Sequence, residues 1–306
     1  MNFKFSTLRE NILASFLLLH YFFVKFFTHK ALLVSVMANQ KKGKVVHNNW
    51  GDDLNIYLIE LLTNKKVFIC PNCFLTRKLS PRRYMVIGSI LTFYPLDNVI
   101  VLGSGILNSN MIKNISGSPW DVKFVRGPLT RDVLLSKGIK CPAIYGDPAM
   151  ILPLVYHPHG NIKKYRIGVI PHYIDTNLPI IEDIMGKYGD DAVIIKMKGY
   201  DNWTDIIDLI CSCEVVISSS LHGVIVSEAY NISSYWVYFQ DYVYGWSFKF
   251  YDFYMSIGKK EVCPIKITKA GQVDDLYNGR REMQSVNAGL VDKMQIKNLL
   301  LETLKK

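Results

Sequence analysis

The chain is poor in the features that mark disulfide-bonded, metal-bound and disordered proteins. Its 306 residues include only six cysteines, and Cys70 and Cys73 are the one pair with the spacing of a metal or redox site. One such pair supplies too few ligands for the four-coordinate site that structural zinc requires. A composition of 49% hydrophobic and 20% charged residues also excludes disorder, collagen and a polytopic membrane protein. We therefore expect a globular fold large enough for two domains.

Acidic residues are scarce in the first part of the chain. Before Trp50 there are seven lysines or arginines and one acid, Glu10, whereas the rest of the chain is only mildly basic. This distribution argues against nucleic acid as a partner, because a nucleic-acid binder of this size spreads its basic surface over the fold. It favours a solvated tail or a cationic arm, together with a positively charged pocket elsewhere.

No apolar run is long enough to cross a bilayer. The longest charge-free run, residues 11–24, has 14 residues, whereas a spanning helix needs about 20. Lys25 and Lys30 follow it, so a longer span would bury cations. Its phenylalanines and lysines favour a helix anchored at a membrane interface. The alternative to such an anchor is that translation starts at Met37 and the preceding residues are not made. We predict that residues 1–43 form an extension, either anchor or misassigned start, and that residues 1–36 are dispensable for chemistry.

From Lys44 onward, short apolar runs alternate with amphipathic segments. This alternation predicts a parallel α/β domain over residues 44–155. A stretch rich in proline, glycine and histidine, residues 156–165, reads as a linker, and the pattern then restarts over residues 166–280. A helix is expected over residues 281–306. We predict two Rossmann-like domains with a cleft between them, where the carboxyl ends of the strands would bind a ligand.

The strongest local signal is the segment CEVVISSSLHGVIVSEAYNI. An apolar strand ends in three serines, and His222 and Gly223 then open a helix. Free N–H groups at a helix N-terminus bind anions, and the hydroxyls of Ser218, Ser219 and Ser220 would add donors. This position favours a catalytic role for His222, and a capping or core histidine is the alternative.

Further candidate ligands also follow predicted strands. His172 ends the first strand of the second predicted domain, and Lys196 and Lys198 end the next one. Arg126 and Arg131 flank a helix start, where an arginine suits a carboxylate or phosphate ligand. For each of these residues taken singly, a surface role is the alternative.

Two carboxylates begin an early helix. Asp52 and Asp53, in WGDDLN, could cap the free N–H groups of that helix or act as a base, and capping is the commoner use. The turn Gly103-Ser104-Gly105 matches only the first half of a dinucleotide fingerprint, because Asn108 stands at the third glycine position.

In their order and spacing, these segments resemble the polysaccharide pyruvyl transferase family from about Val45 to Gly258. The resemblance rests on WGDDLN, VLGSGIL, VRGPLTRDVLLSKGI, YGDPAMILP, IGVIPHY, SCEVVISSSLHGVIVSEAYNI and KFYDFYMSIG. It implies a GT-B-like arrangement of the two domains. It also implies phosphoenolpyruvate as co-substrate, a glycan or lipid-linked oligosaccharide as acceptor, and no cofactor or metal.

The resemblance also implies roles for single residues. The family's histidine falls on His222 and its Arg-Gly-Pro segment on Arg126, whereas Ser220 stands where many members carry an arginine. Positive charge for the donor must then come from other side chains, namely Arg126, Arg131, Lys196, Lys198 and Lys249.

The implied reaction transfers the pyruvyl unit to sugar hydroxyls as a ketal. His222 would act as the acid, with His172 as second candidate, and Asp52 or Asp53 as the base. Phosphoenolpyruvate is a cytosolic metabolite, so we expect a cytoplasmic enzyme with the inner membrane face as a further partner. A nucleotide-sugar glycosyltransferase of the same plan and a non-catalytic glycan-binding protein are the alternatives.

Overall fold

The chain forms two five-stranded parallel sheets with helices packed around them. The computed structural model describes residues 8–41, 44–79, 81–158, 163–241, 247–259, 261–284 and 291–306. Both sheets are parallel throughout, and their strands are separated mostly by helices, as the alternating pattern predicted. The predicted α/β class is therefore confirmed.

The first half contains a helix that precedes its sheet and three further α-helices. Its elements are α1 (Leu8–Thr28), β1 (Ala31–Val34), β2 (Asn39–Lys41), β3 (Lys44–Val46), α2 (Trp50–Thr63), β4 (Lys66–Ile69), α3 (Phe74–Leu79), β5 (Arg83–Met85), β6 (Val99–Leu102), β7 (Asp121–Phe124) and α4 (Pro128–Ser136). Short 3-10 helices cover Ser109–Asn114 and Pro148–Leu154. The strand order of the sheet is β4-β1-β5-β6-β7.

The second half repeats the alternation. Its elements are β8 (Tyr165–Ile170), α5 (Pro179–Tyr188), β9 (Ala192–Ile194), α6 (Trp203–Cys211), β10 (Cys213–Ser218), α7 (Leu221–Ala229), β11 (Ser233–Tyr238), α8 (Phe248–Ser256), β12 (Ile265–Lys266), α9 (Gln272–Gln284) and α10 (Lys293–Leu304). A 3-10 turn covers Gly189–Asp191, and the strand order is β12-β11-β10-β8-β9.

The boundary predicted at residue 44 is wrong. β1 lies between β4 and β5 in the first sheet, with Leu33 paired to Phe68 and Val34 to Tyr84, and all four of its residues are buried. The segment from Lys44, predicted as the first strand of the domain, instead pairs only with β2 in a two-stranded antiparallel ribbon. The first sheet therefore needs residues that we assigned to a dispensable extension.

α1 is also longer than its charge-free run. It has 21 residues, because the lysine at position 25 lies inside the helix instead of ending it. Ala14, Leu18 and Tyr21 are buried against the outer face of the sheet, where the last two share an apolar cluster with Phe68. The stretch Glu10–Thr28 is apolar enough to cross a membrane by length and composition. We predicted from the charge-free run that this segment is too short to span a bilayer, but the helix that contains the run is long enough.

The two halves share one continuous core. An apolar cluster contains Trp50 and Phe124 from the first half and Met197 and Val216 from the second. The indole of Trp50 donates to the carbonyl of Trp203 at 2.8 Å, so the start of α2 is attached to α6 across the junction. This contact fixes the position of the α2 N-terminus relative to the second sheet.

The C-terminal segment does not begin where we placed it. The predicted boundary between residues 280 and 281 falls inside α9, and residues 285–290 lie outside the described part of the chain, as do residues 159–162 of the predicted linker. α10 packs on α2 and on the 3-10 helix Pro148–Leu154. The chain therefore returns to its first half after completing the second sheet.

Candidate active site

A cleft of about 250 Å³ lies at the carboxyl ends of strands from both sheets. The segments that follow β1, β3 and β5 supply one wall, and those that follow β8, β9 and β10 supply the other. Its lining residues are Met37, Asn48, Asn49, Asp52, Ser89, Ile90, Phe93, Leu107, Pro171, His172, Tyr173, Met197, Ser220, Leu221, His222 and Lys249. Ligands of open α/β sheets bind at this edge, so the cleft is the candidate active site.

Two helix N-termini meet in the cleft. α2 begins at Trp50 and α7 at Leu221, and the first-turn N–H groups of a helix have no partner within that helix. Gly51 allows the two ends to approach: a Cβ atom at this position would lie 1.9 Å from Nδ1 of His222. The imidazole thus occupies the space that a side chain on α2 would fill. Two positive helix-dipole ends together form a favourable place for an anion.

His222 is neutral in this cleft. Its Nε2 atom is buried and has no hydrogen-bond partner within the described residues. Burial, together with the nearby charges of Lys249 and Arg126, lowers the pKa of His222 to about 3. A neutral imidazole held against a helix end can accept or donate a hydrogen bond to a ligand. It becomes an acid only when bound negative charge raises its pKa.

His172 follows β8 on the same wall as His222 and is held through its backbone. Its N–H donates to Oγ of Ser219 at 2.8 Å, and that hydroxyl donates to Oδ2 of Asp175 at 2.7 Å. Burial lowers the pKa of His172 to about 4, with Lys249 adding to the shift and Asp175 opposing it. The two predicted histidines therefore do line one cleft, both in the neutral form.

Of the two predicted carboxylates, only Asp52 lines the cleft. The side chain of Asn49 donates to its Oδ2 at 2.6 Å, and burial raises its pKa to about 6, with the neighbouring Asp53 adding to the shift. Asp53 is fully buried, and its Oδ2 accepts the hydroxyl of Tyr200 at 3.0 Å across the junction. Asp53 therefore links the two halves, and Asp52 is the available base.

Lys249 supplies positive charge to the cleft from α8. It is the one lysine or arginine among the lining residues that the structure describes. Its side chain is buried, and burial together with the charge of Arg126 lowers the pKa of Lys249 to about 8, whereas Asp52 opposes the shift. The lysine remains mostly protonated at neutral pH and can attract a phosphate or carboxylate.

Arg126 does not line the cleft. Its guanidinium is fully buried and bonded to Asp252 through Nε at 3.0 Å and Nη2 at 2.9 Å. Nη1 donates to Oγ of Ser89 at 2.6 Å, and Nη2 also donates to the carbonyl of Ile106. All three guanidinium nitrogens thus have partners within the protein, and the donor contact predicted for Arg126 stays a prediction. Arg126 instead positions Ser89, which does line the cleft.

The other predicted cations also point elsewhere. Lys196 and Lys198 are exposed, whereas Met197 between them is buried and lines the cleft. Side chains alternate along an extended segment, so the face that we selected is the outer one. Arg131 lies within α4 and donates from Nε to the carbonyl of Cys141 at 3.1 Å.

The serine-rich turn is arranged differently from the prediction. Ser218 and Ser219 are buried, their hydroxyls bond within the protein, and neither lines the cleft. Ser220 lines the cleft at the N-cap position of α7, where its side chain makes no capping hydrogen bond. Gly223 is buried under the turn, where a Cβ atom would lie 2.4 Å from Oγ of Ser218. This glycine allows close packing of helix on strand.

Sequence reasoning missed several residues of the cleft. Asn48 and Asn49 precede α2 directly, and Ser89 follows β5. The pair Asn-Asn before Trp-Gly-Asp-Asp could have been detected, because asparagine is favoured at a helix N-cap and the pair lies directly before the predicted helix start. Ser89 gave no such signal, since its importance comes from its contact with Arg126, 37 positions away along the chain.

Comparison of the chain with known proteins identifies its family. Residues 13–241 match the family described as "Polysaccharide pyruvyl transferase". The match covers most of the chain, so the protein belongs to this family. It begins within α1, well before the resemblance that we predicted from Val45, in agreement with β1 being part of the first sheet.

Two individual proteins are similar to about three fifths of the chain. The "Uncharacterized protein L143" of Acanthamoeba polyphaga mimivirus is 30% identical over 195 residues, which is 62% of this chain and 64% of that protein. The "Succinoglycan biosynthesis protein ExoV" of Rhizobium meliloti (strain 1021) is 28% identical over 194 residues, or 61% of this chain and 55% of that protein. The aligned part thus spans somewhat more than half the length of each relative.

Proposed function

We propose that the protein transfers the pyruvyl unit of phosphoenolpyruvate to two hydroxyls of a sugar as a ketal, in polysaccharide biosynthesis. The observation that carries the proposal is the meeting of two helix N-termini, His222 and Lys249 in one cleft. Phosphoenolpyruvate has a phosphate and a carboxylate, and both groups suit free N–H groups and a lysine. Family membership and similarity to a succinoglycan biosynthesis protein support the same assignment.

The reaction requires one proton and two hydroxyl attacks. A proton adds to C3 of the enol while the oxygen of one sugar hydroxyl bonds to C2. The C2–O bond to phosphate then breaks, inorganic phosphate leaves with the bonding electrons, and the second hydroxyl bonds to C2. The two hydroxyl protons are released, so phosphoenolpyruvate and a diol give a ketal and phosphate.

We assign the proton-transfer steps to the cleft residues by their charge states. Bound phosphoenolpyruvate brings negative charge next to His222, which raises the pKa of the imidazole above about 3. His222 then acts as the acid, and His172 is the second candidate. Asp52, with a pKa raised to about 6, is mostly ionised at neutral pH and is the proposed base for the sugar hydroxyls.

The size of the cleft favours a small donor. Pockets for drug-sized ligands measure roughly 300–1,000 Å³, whereas this one measures about 250 Å³. A three-carbon phosphate fits such a space better than a nucleotide sugar does.

We further propose that the two halves form a GT-B-like pair with the acceptor glycan entering from the first half, and that the protein works in the cytoplasm.

A comparison of donors tests the proposal. Phosphoenolpyruvate should raise the melting temperature of the protein, and sugar nucleotides should leave it unchanged. Phosphate release from phosphoenolpyruvate should depend on the acceptor, and mass spectrometry of the glycan should show an added pyruvyl group. Stabilisation by sugar nucleotides alone would instead support a glycosyltransferase. Binding of glycan without any turnover would support a non-catalytic protein.

Replacement of His222 by Asn tests its role as the acid. We expect turnover to fall by roughly 10² or more, the usual loss when general acid catalysis is removed, with a smaller effect on donor binding. His157→Asn is the matched control, because His157 is exposed and does not line the cleft. Full activity of His222→Asn would make His222 a structural residue.

A further inference from the structure

α1 has one face on the protein and one face in solvent. The buried face is formed by Ala14, Leu18 and Tyr21. The other face carries nine large apolar side chains that are between 47% and 77% exposed: Leu8, Ile12, Leu13, Phe16, Leu19, Phe22, Phe23, Phe26 and Phe27. A helix of 21 residues is about 31 Å long, so this is a continuous apolar surface far larger than a soluble monomer normally exposes.

The C-terminal end of α1 adjoins a basic cavity. This cavity measures about 350 Å³ and lies at the amino-terminal edge of the first sheet, opposite the edge that holds the active site. The lysines and arginines that line it are Lys25, Lys65, Arg82, Lys123 and Lys306, and His29 lies beside them. Asp121, which lies 2.6 Å from Lys123, is the acid among the described lining residues. Lys30 and Lys66 border a neighbouring depression, so positive charge surrounds this end of the helix.

We propose that α1 docks the protein on an anionic lipid bilayer, with its phenylalanine face in the membrane interface and the basic cavity on lipid phosphates. Aromatic and leucine side chains on one face with cations at its border are the chemistry of interfacial helices. An apolar protein partner would use the helix face but leave the basic cavity without a counter-charge. A bilayer that contains anionic lipid uses both features, and charge complementarity therefore selects it.

The packing of α1 gives the orientation. The helix cannot leave the sheet without exposing Leu33 and Phe68, both buried beneath it, so it lies along the membrane surface and does not cross it. The link between α1 and β1 is only two residues, so the two elements run antiparallel. The N-terminal end of the helix consequently lies at the cleft edge of the sheet. In this orientation the cleft lies near the membrane surface. The proposal does not depend on which reaction the cleft catalyses.

Vesicle flotation of the full chain tests the proposal. The probes are vesicles of neutral phosphatidylcholine and vesicles that also contain phosphatidylglycerol. We expect binding to the anionic vesicles that weakens with added salt. Phe23→Ser combined with Phe26→Ser should reduce the bound fraction roughly tenfold or more, because both exposed rings leave the interface. Lys30→Gln combined with Arg82→Gln should weaken binding to anionic vesicles several-fold, by removing contacts with lipid phosphate.

The matched control replaces two exposed apolar residues on other helices. Leu135→Ser combined with Met294→Ser should float as the wild type does, since these side chains are 42% and 53% exposed and lie on α4 and α10. Inorganic phosphate should not release the protein from vesicles. The proposal is overturned if the wild type does not bind anionic vesicles, or if the Phe23, Phe26 variant binds normally. The proposal is also overturned if the protein resists alkaline carbonate extraction, as a membrane-spanning protein does. It is likewise overturned if α1 holds two copies of the protein together in solution.

Discussion

Lys249 is a charged residue that folding has removed from water. Its side chain is 8% exposed, and burial is the main reason why its pKa falls from 10.5 to about 8. Such a shift means that the protonated lysine opposes folding, because the folded chain binds that proton less tightly than the unfolded chain does. A residue that costs stability in this place is consistent with a role in binding an anion.

We predict that Lys249→Met stabilises the protein and abolishes donor binding. At pH 7 the free energy of unfolding should rise by at most roughly 3 kcal/mol, from 1.36 kcal/mol per unit of pKa shift. Between pH 8 and 10.5 the unfolded wild type binds more protons than the folded wild type, so wild-type stability rises with pH and the difference shrinks. Urea unfolding of both proteins at several pH values measures the difference in their free energies of unfolding.

Lys198→Met is the control for that experiment. Lys198 is exposed and lies outside the cleft, so neither stability nor binding of phosphoenolpyruvate should change much. Destabilisation of Lys249→Met at neutral pH would mean that the ammonium group makes contacts that outweigh its loss of hydration.

Gly51 positions the imidazole of His222, and Gly51→Ala tests this contact. The new methyl group would lie 1.9 Å from Nδ1, so the ring or the helix has to move. We expect turnover to fall by roughly the 10²-fold that a displacement of about 1 Å can cost. Gly186→Ala is the matched control, because it also lies within a helix and its Cβ atom meets nothing within 4 Å. Equal activity of both variants would show that the contact is unimportant.

Among single residues, the sequence was most informative where the chain itself fixes the position. His222 and Ser220 lie at a strand-to-helix turn, and the structure does place them in the cleft. Lys196 and Lys198 were misplaced because strand alternation leaves the choice of face open until the neighbouring layer is known. Arg126 was correctly placed at a strand end, but only its partner on α8 reveals that it is buried.

At the scale of elements, one carboxylate holds α8 against α4. Asp252 receives two hydrogen bonds from Thr130, through N–H at 2.8 Å and the hydroxyl at 2.7 Å, as well as the ion pair with Arg126. Gly127 permits this approach, since a Cβ atom there would lie 1.8 Å from the carbonyl oxygen of Asp252. The ion pair of Arg126 with Asp252 joins the two halves behind the cleft. It also holds in place Lys249, which lies one turn earlier on α8.

We predict that Asp252→Asn destabilises the protein by roughly 3–5 kcal/mol, because it leaves the charge of Arg126 buried without a counter-ion. Chemical denaturation measures the change. Asp241→Asn is the matched control: Asp241 pairs with Lys266 but its side chain is 86% exposed, and such a pair contributes roughly 0–1 kcal/mol. Similar effects of the two substitutions would contradict a structural role for the buried pair.

The pattern of elements was more predictable than their assembly. From β4 to β11 the runs of apolar residues predicted the strands, since parallel buried strands need short apolar segments separated by helices. β1 was missed because ALLV follows a long apolar helix, so the two read together as one membrane-anchoring segment. Only pairing with β4 and β5, which are distant in the chain, identifies it as a strand.

At the scale of the whole molecule, the two halves depend on each other. Tyr200 from the second half bonds to Asp53, and the ring of His47 stacks on it at 4.2 Å. The backbone N–H of Trp50 also donates to the carbonyl of Met197 at 2.8 Å. No local pattern predicts contacts between residues that lie 147 to 153 positions apart. They are nevertheless what brings the two histidines of the cleft to the helix that carries Asp52.

The same interdependence predicts the result of removing the N-terminus. A chain that starts at Met37 lacks α1 and β1, so β4 loses its hydrogen-bonded neighbour, and β5 loses one of its two neighbours in the first sheet. We expect this truncated protein to be insoluble or to lack a cooperative thermal transition, because Val67 and Met85 would lose the buried strand that they flank. The Phe23→Ser, Phe26→Ser double variant separates folding from membrane docking, since it keeps both elements and should melt as the wild type does. Far-UV circular dichroism and thermal melting compare the three proteins. A soluble truncated chain with wild-type melting and full turnover would show that the first sheet forms without β1, and that residues 1–36 are dispensable after all.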